Sequence, residues 1–159
     1  MKLEIRPMDS RDKAAIMRFI TATPEFKPAE VIVAEEVCDS YLQDPSGSGY
    51  YIFVAEVDSS VAGYICYGPI PLTEGTWDIY WIAVAVEYQR LGVGRALLSF
   101  AETNITKASG RLALIETSSK PEYERTRRFY RAQGYKVVCR IPDFYAPGDD
   151  KLTLQKRLQ

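Results

Sequence analysis

The run Trp77-Asp78-Ile79-Tyr80-Trp81-Ile82-Ala83-Val84-Ala85-Val86, followed by Glu87-Tyr88-Gln89-Arg90-Leu91-Gly92-Val93-Gly94-Arg95-Ala96-Leu97-Leu98, constrains the fold more than any other stretch. Its first ten residues are aromatic and β-branched, which suits a pleated, mostly buried strand. Gly92 and Gly94 then permit a tight turn and a close approach of backbone to a ligand. Beyond them Leu97, Ala101, Asn104, Ile105 and Ala108 recur at helical spacing. A strand that turns through glycine into a helix presents unpaired N–H groups and a positive dipole end, a seat for phosphate. Two common phosphate motifs fail on spacing. A dinucleotide fingerprint needs glycine at position 97, where Leu97 stands, and a Walker loop needs Lys-Ser/Thr where Arg95-Ala96 follows Gly94.

Around this segment the periodicities alternate between strand and helix. Lys2 to Arg6 reads as a strand, and Asp9 as the N-cap of a helix through Phe19. A second helix spans Ala29 to Gln43. Tyr50–Val57 and Val61–Tyr67 read as a hairpin about Asp58-Ser59-Ser60. After the glycine-turn helix come a strand from Arg111 to Thr117 and a helix from Glu122 to Gln133, closed by Gly134. Two strands, Tyr135–Ile141 and Lys151–Leu158, flank a loop from Pro142 to Asp150. The predicted order, β-α-α-β-β-β-α-β-α-β-β, implies an α/β protein with a central mixed sheet and helices on both faces. At 159 residues a single domain over 1–159 is expected.

Composition removes several functions. The chain has no histidine, so Ser-His-Asp and Cys-His machinery and most zinc sites are excluded, and no metal is expected. Acid–base work falls to carboxylates, tyrosines, lysines or water. A net charge of −1 argues against nucleic acid as a partner. Three scattered cysteines read as free thiols of a reducing compartment. With no apolar run of membrane-spanning length and no signal-peptide core, neither a membrane partner nor export is expected, and the cytoplasm is the expected location.

Gln89-Arg90-Leu91-Gly92-Val93-Gly94 resembles the Gln/Arg-x-x-Gly-x-Gly/Ala signature of the GNAT superfamily of N-acetyltransferases, and Ile82-Ala83-Val84 resembles the end of that family's fourth strand. The predicted element order is the family's too, and the resemblance runs from about Leu3 to Leu158. It implies acetyl-CoA as cosubstrate. The strand at Ile82, Ala83 and Val84 would pair with the pantetheine arm. The turn Gln89, Arg90, Leu91, Gly92, Val93, Gly94 with Arg95 would hold the pyrophosphate. Phe129-Tyr130-Arg131-Ala132-Gln133-Gly134-Tyr135 resembles the motif whose tyrosine protonates the leaving sulfur, which makes Tyr130 the implied general acid and a cofactor contact. Many members carry asparagine and alanine where this chain has Tyr123 and Thr126; Ser118 or Ser119 is the candidate replacement for the asparagine contact.

The implied activity is transfer of acetyl to a primary amine, on a small molecule or a peptide; a non-catalytic acyl-CoA sensor is the alternative. A lysine-like amine is only about 0.1% neutral at pH 7.4, so a base is required. Asp78 and Glu116 compete for that role. Strand parity places Asp78 with Tyr80, Ile82 and Val84 on one face, as in the histone-acetylating branch, and favours it slightly. Glu116 ends an apolar strand, as in the branch that acetylates ribosomal-protein N-termini. Arg125, Arg127, Arg128 and Arg131 form either a solvated helix face or contacts to phosphates. Asp143, Asp149 and Asp150 are either a polar loop or part of an amine site. A homodimer is compatible with the sequence, which does not encode the acceptor's identity.

Overall fold

The structure, a computed structural model, describes residues 1–158. Seven strands form one sheet: β1 (Leu3–Pro7), β2 (Tyr51–Val57), β3 (Ser60–Pro69), β4 (Thr76–Val84), β5 (Leu112–Ser118), β6 (Lys136–Ala146) and β7 (Asp149–Arg157). Their spatial order is β1-β2-β3-β4-β5-β7-β6, antiparallel throughout except for the parallel pair β4 and β5. Four helices complete the fold: α1 (Lys13–Ala22), α2 (Pro28–Gln43), α3 (Val93–Lys107) and α4 (Glu124–Ala132). The predicted order and mixed-sheet class are those observed. Among the described residues no helix is long and apolar enough to cross a membrane.

Alternation along the central strands builds two cores. Ile52, Val54, Tyr64 and Cys66 point to one face and pack with Ile16 and Ile20 of α1 and with Ala34 and Cys38 of α2. Ala55, Ile65 and Tyr67 point to the other and meet Leu97, Ala101 and Ile105 of α3. The sheet is thus buried on both sides, which explains strands that read as nearly continuous apolar runs.

Three boundaries depart from expectation. Asp9 caps a 3-10 turn, Ser10–Asp12, ahead of α1; its carboxylate accepts from Arg11 N, and Asp12 accepts from Asp9 N at 2.8 Å. The organising strand stops at Val84, and a 3-10 turn, Val86–Tyr88, precedes the glycines. The expected loop from Pro142 to Asp150 is mostly strand, since β6 continues to Ala146 and β7 begins at Asp149. Pro142 and Asp143 are accommodated because β6 is an edge strand whose pairing with β7 is irregular between Ile141 and Ala146.

Gly63 sets how closely α3 lies on the sheet. A Cβ there would stand 2.8 Å from the Ala83 carbonyl oxygen and 3.3 Å from the Val93 side chain. Gly63→Ala should therefore destabilise the protein by about 1–3 kcal/mol through overpacking. A urea-denaturation midpoint equal to wild type would refute this packing assignment.

Candidate active site

Strands β4 and β5 pair over only three positions, Thr76↔Leu112, Trp77↔Ala113 and Asp78↔Leu114. Beyond Asp78 they part, although β4 continues to Val84 and β5 to Ser118. The β5-facing edge of β4 from Tyr80 onward is left without a strand partner, in the middle of the sheet. Backbone N–H and C=O groups in such a place need partners, and an extended ligand with amide groups can supply them. The gap opens into a cleft of about 950 Å³, lined along β4 by Tyr80 to Val84 and along β5 by Ile115 to Ser118.

At one side of the cleft lies the glycine turn. Gly92 adopts the left-handed conformation (φ 83°, ψ 9°) as the N-cap of α3, a geometry that favours glycine. Arg90 is also left-handed (φ 65°). The Gln89 side chain donates to the Val84 carbonyl at 3.2 Å and so ties the turn to the end of β4. Gln89, Arg90, Gly92, Val93, Gly94 and Arg95 all line the cleft, as do Ile82, Ala83 and Val84; Leu91 does not, and is exposed. The first amides of α3 have no acceptor within the helix and carry its positive dipole end. Arg95 and Arg125 add positive charge to the lining.

Tyr130 lines the cleft and is buried, its ring 5.2 Å from Phe129 and 6.0 Å from Tyr135. Burial pushes its phenol well above the ordinary tyrosine range, so it holds its proton. Of the two serine candidates, Ser118 lines the cleft and Ser119 does not. Ser119 Oγ accepts from Asp150 N at 2.9 Å, which commits it to β7. Tyr123, in the position where an asparagine is common, donates its hydroxyl to the Glu25 carbonyl at 2.9 Å. The four arginines divide. Arg127 is buried and donates to the Ser118 and Lys120 carbonyls at 2.6 and 2.9 Å, a structural use that charge periodicity alone does not reveal. Arg128 pairs with Glu124, and only Arg125 reaches the cleft.

The parity expected of Asp78 does not hold. Cys66 faces Trp81 and Tyr67 faces Ile79, so Tyr80 is an extra residue that interrupts the β3–β4 register. Trp77 and Ile79 before this bulge pack against the α3 face, and so do Ile82 and Val84 after it. Asp78 therefore lies on the opposite face from Ile82 and Val84. A one-residue insertion inverts facing beyond it. Asp78 is absent from the cleft lining, whereas Glu116 is part of it. The two carboxylates remain neighbours. Burial first, then Glu116, pushes the Asp78 carboxyl above its ordinary range, and Lys151 pulls it back. Lys151 Nζ is 3.6 Å from Glu116.

A segment the sequence left as a plain loop, Thr23 to Lys27, lies across the cleft. Phe26 meets Trp81 edge-on at 6.3 Å, Glu25 accepts from Tyr123, and Lys27 Nζ approaches Asp149 Oδ2 at 3.9 Å. This strap touches β4, the turn before α4, and β7. Its Thr23-Pro24 and Lys27-Pro28 pairs signal a break between helices, but no local pattern encodes what it spans.

The family described as the acetyltransferase (GNAT) domain matches residues 48–137. A GNAT-family protein of known structure from Desulfovibrio desulfuricans is 38% identical, with a TM-score of 0.95 over 99% of this chain and 100% of that one. An uncharacterized N-acetyltransferase of Methanocaldococcus jannaschii is 32% identical over 108 residues, 66% of this chain and 65% of that protein. An N-alpha-acetyltransferase of Sulfurisphaera tokodaii is 32% identical over 110 residues, 62% of this chain and 64% of that protein. The matches span slightly less than two thirds of the length of these last two relatives.

The Asp78–Glu116 proximity has a measurable consequence. Asp78 is raised in the folded state, so the stability favoured by its neutral form is present at low pH and lost as pH rises through the folded value. Asp78→Asn should gain stability relative to wild type across that rise. Glu116→Gln should lower the Asp78 pKa when followed by carboxylate NMR. Parallel stability profiles, together with an unmoved Asp78 titration, would contradict the arrangement.

Proposed function

This chain belongs to the GNAT acetyltransferase family, and from that premise we propose that it transfers the acetyl group of acetyl-CoA to a primary amine. The observation that carries the reading is the parting of β4 from β5 beyond Asp78 and Leu114 beside the start of α3. That arrangement fits the cosubstrate chemically. The free edge of β4 at Ile82 to Val84 matches the amides of a pantetheine arm, and the α3 amides with Arg90, Arg95 and Arg125 match its phosphates. Gly94 keeps the lining open between Val84 and Phe129. When bound, acetyl-CoA supplies an activated acetyl group as a thioester.

The remaining work falls to side chains of this chain. An acceptor amine arrives mostly protonated, so a group in the cleft must take its proton. Glu116 is our candidate, supported by its place in the cleft lining, a side chain 51% exposed and Lys151 beside it. Asp78, the second candidate, would act through water from outside the cleft lining. Tyr130 Oη makes no hydrogen bond to another described residue, which leaves its proton free for the departing sulfur. The acceptor is an amine of a small molecule or of a polypeptide. The α-amine of a polypeptide gains support from the N-alpha-acetyltransferase likeness.

Thiol release from acetyl-CoA with a panel of amines tests the reaction directly. Tyr130→Phe should retain acetyl-CoA affinity while single-turnover acetyl transfer falls by roughly 10²–10⁴. A loss within about twofold would make Tyr130 a packing residue. Tight acetyl-CoA binding without transfer to any amine would instead favour the sensor.

A further inference from the structure

Besides the carboxylates placed near the chemistry, the cleft contains a buried acid with one oxygen that accepts no hydrogen bond from a described residue. Asp149 opens β7, is 1% exposed and lines the cleft. Its Oδ1 accepts from Ser118 Oγ, whereas Oδ2 has no hydrogen-bond partner among the described residues. The cation paired with it is Lys27, whose Nζ at 3.9 Å stands beyond hydrogen-bonding distance. Lys27 belongs to the strap, and its side chain is 54% exposed. A buried carboxylate oxygen without a donor is costly, and a cation held at that distance offsets the cost only in part.

We infer that Asp149 is a cation subsite, occupied loosely by Lys27 in the free protein and by a second positive charge of the acceptor during transfer. The inference rests on the amine-acetylating reading and deepens it: the favoured acceptor carries one amine to be acetylated and another cationic group. Three further observations support it. Glu30 and Glu116 line the same cleft, so the acceptor side is acidic, while Arg90, Arg95 and Arg125 gather about the starts of α3 and α4. The Tyr145 phenol is pushed up to about 12, by burial and then by Glu116, Asp149 and Glu30, so these carboxylates surround one space. Tyr123 and Tyr145 give that space aromatic walls, which suit an ammonium or guanidinium. The Lys27 side chain is 54% exposed and has a flexible four-carbon stem, so it can swing outward when a ligand ammonium with its own N–H donors reaches Oδ2.

The second charge can belong to a free diamine or to a basic side chain of a peptide, so the test uses matched pairs. The whole chain is titrated calorimetrically, with CoA present, using 1,5-diaminopentane against pentylamine and the tripeptide Ala-Lys-Ala against Ala-norleucine-Ala. In wild type, the member of at least one pair that carries the second ammonium should bind about tenfold more tightly, and that pair identifies the source. Asp149→Asn keeps an oxygen for Ser118 and should abolish the preference. Lys27→Ala removes the internal competitor and should tighten binding of the doubly cationic ligand several-fold. No preference in either pair, a preference that survives Asp149→Asn, or weaker binding in Lys27→Ala would each overturn the subsite. The titration needs no acetyl transfer. Absence of turnover with intact charge preference would therefore reject the acetyltransferase reading and leave the subsite standing.

Discussion

The separation of β4 from β5 is the constraint on which the rest depends. A sheet buried on both faces cannot leave central backbone groups unsatisfied without cost, yet here two neighbouring strands pair at three positions and then diverge. The bulge at Tyr80 marks the point of divergence on β4, and the turn from Val86 to Gly92 leads from the end of that strand into α3. Gln89 holds the turn against the Val84 carbonyl, and Gly63 lets α3 settle close to the same strand. These contacts keep the gap open and place a helix N-terminus beside it. An extended, amide-bearing, phosphate-terminated molecule satisfies the edge and the helix start together.

Charge is distributed to match two different partners. Arginines and helix amides surround one part of the cleft, and carboxylates from α2, β5 and β7 surround another. The strap from Thr23 to Lys27 lies over the junction, anchored by the Tyr123 hydroxyl and by the Phe26–Trp81 contact. An anion and a cation can therefore occupy one continuous space without competing for the same side chains. Buried Tyr130 keeps its proton within that space.

Much of this was legible in the sequence because it is local. The strand–glycine–helix run, the amphipathic helices and the mixed-sheet order follow from periodicities that survive in the folded chain. Of the Gln89–Arg95 segment, all but Leu91 line the cleft. What escaped was non-local. Parity predicts the facing of Asp78 only while a strand is regular, and nothing in Asp78-Ile79-Tyr80-Trp81 announces an inserted residue. Pro142 and Asp143 read as a loop because the sequence does not say that β6 is an edge strand, where such residues are tolerated. Arg127 looked like one of four equivalent charges, although its carbonyl partners at Ser118 and Lys120 make it an interior support. Sequence does not separate Asp149 from Asp143 and Asp150, since it neither marks Asp149 as the start of β7 nor reveals a contact with Lys27 far away in the chain.

The central claim is that the free edge of β4 receives acetyl-CoA. Amide hydrogen exchange of the full chain, resolved by NMR and measured with and without acetyl-CoA, tests it most directly. Amides of Tyr80 to Val84 that point toward β5 should exchange readily in the free protein and become protected on binding, together with those of Val93 to Arg95. Protection confined to other segments, or an edge already protected without ligand, would contradict the account.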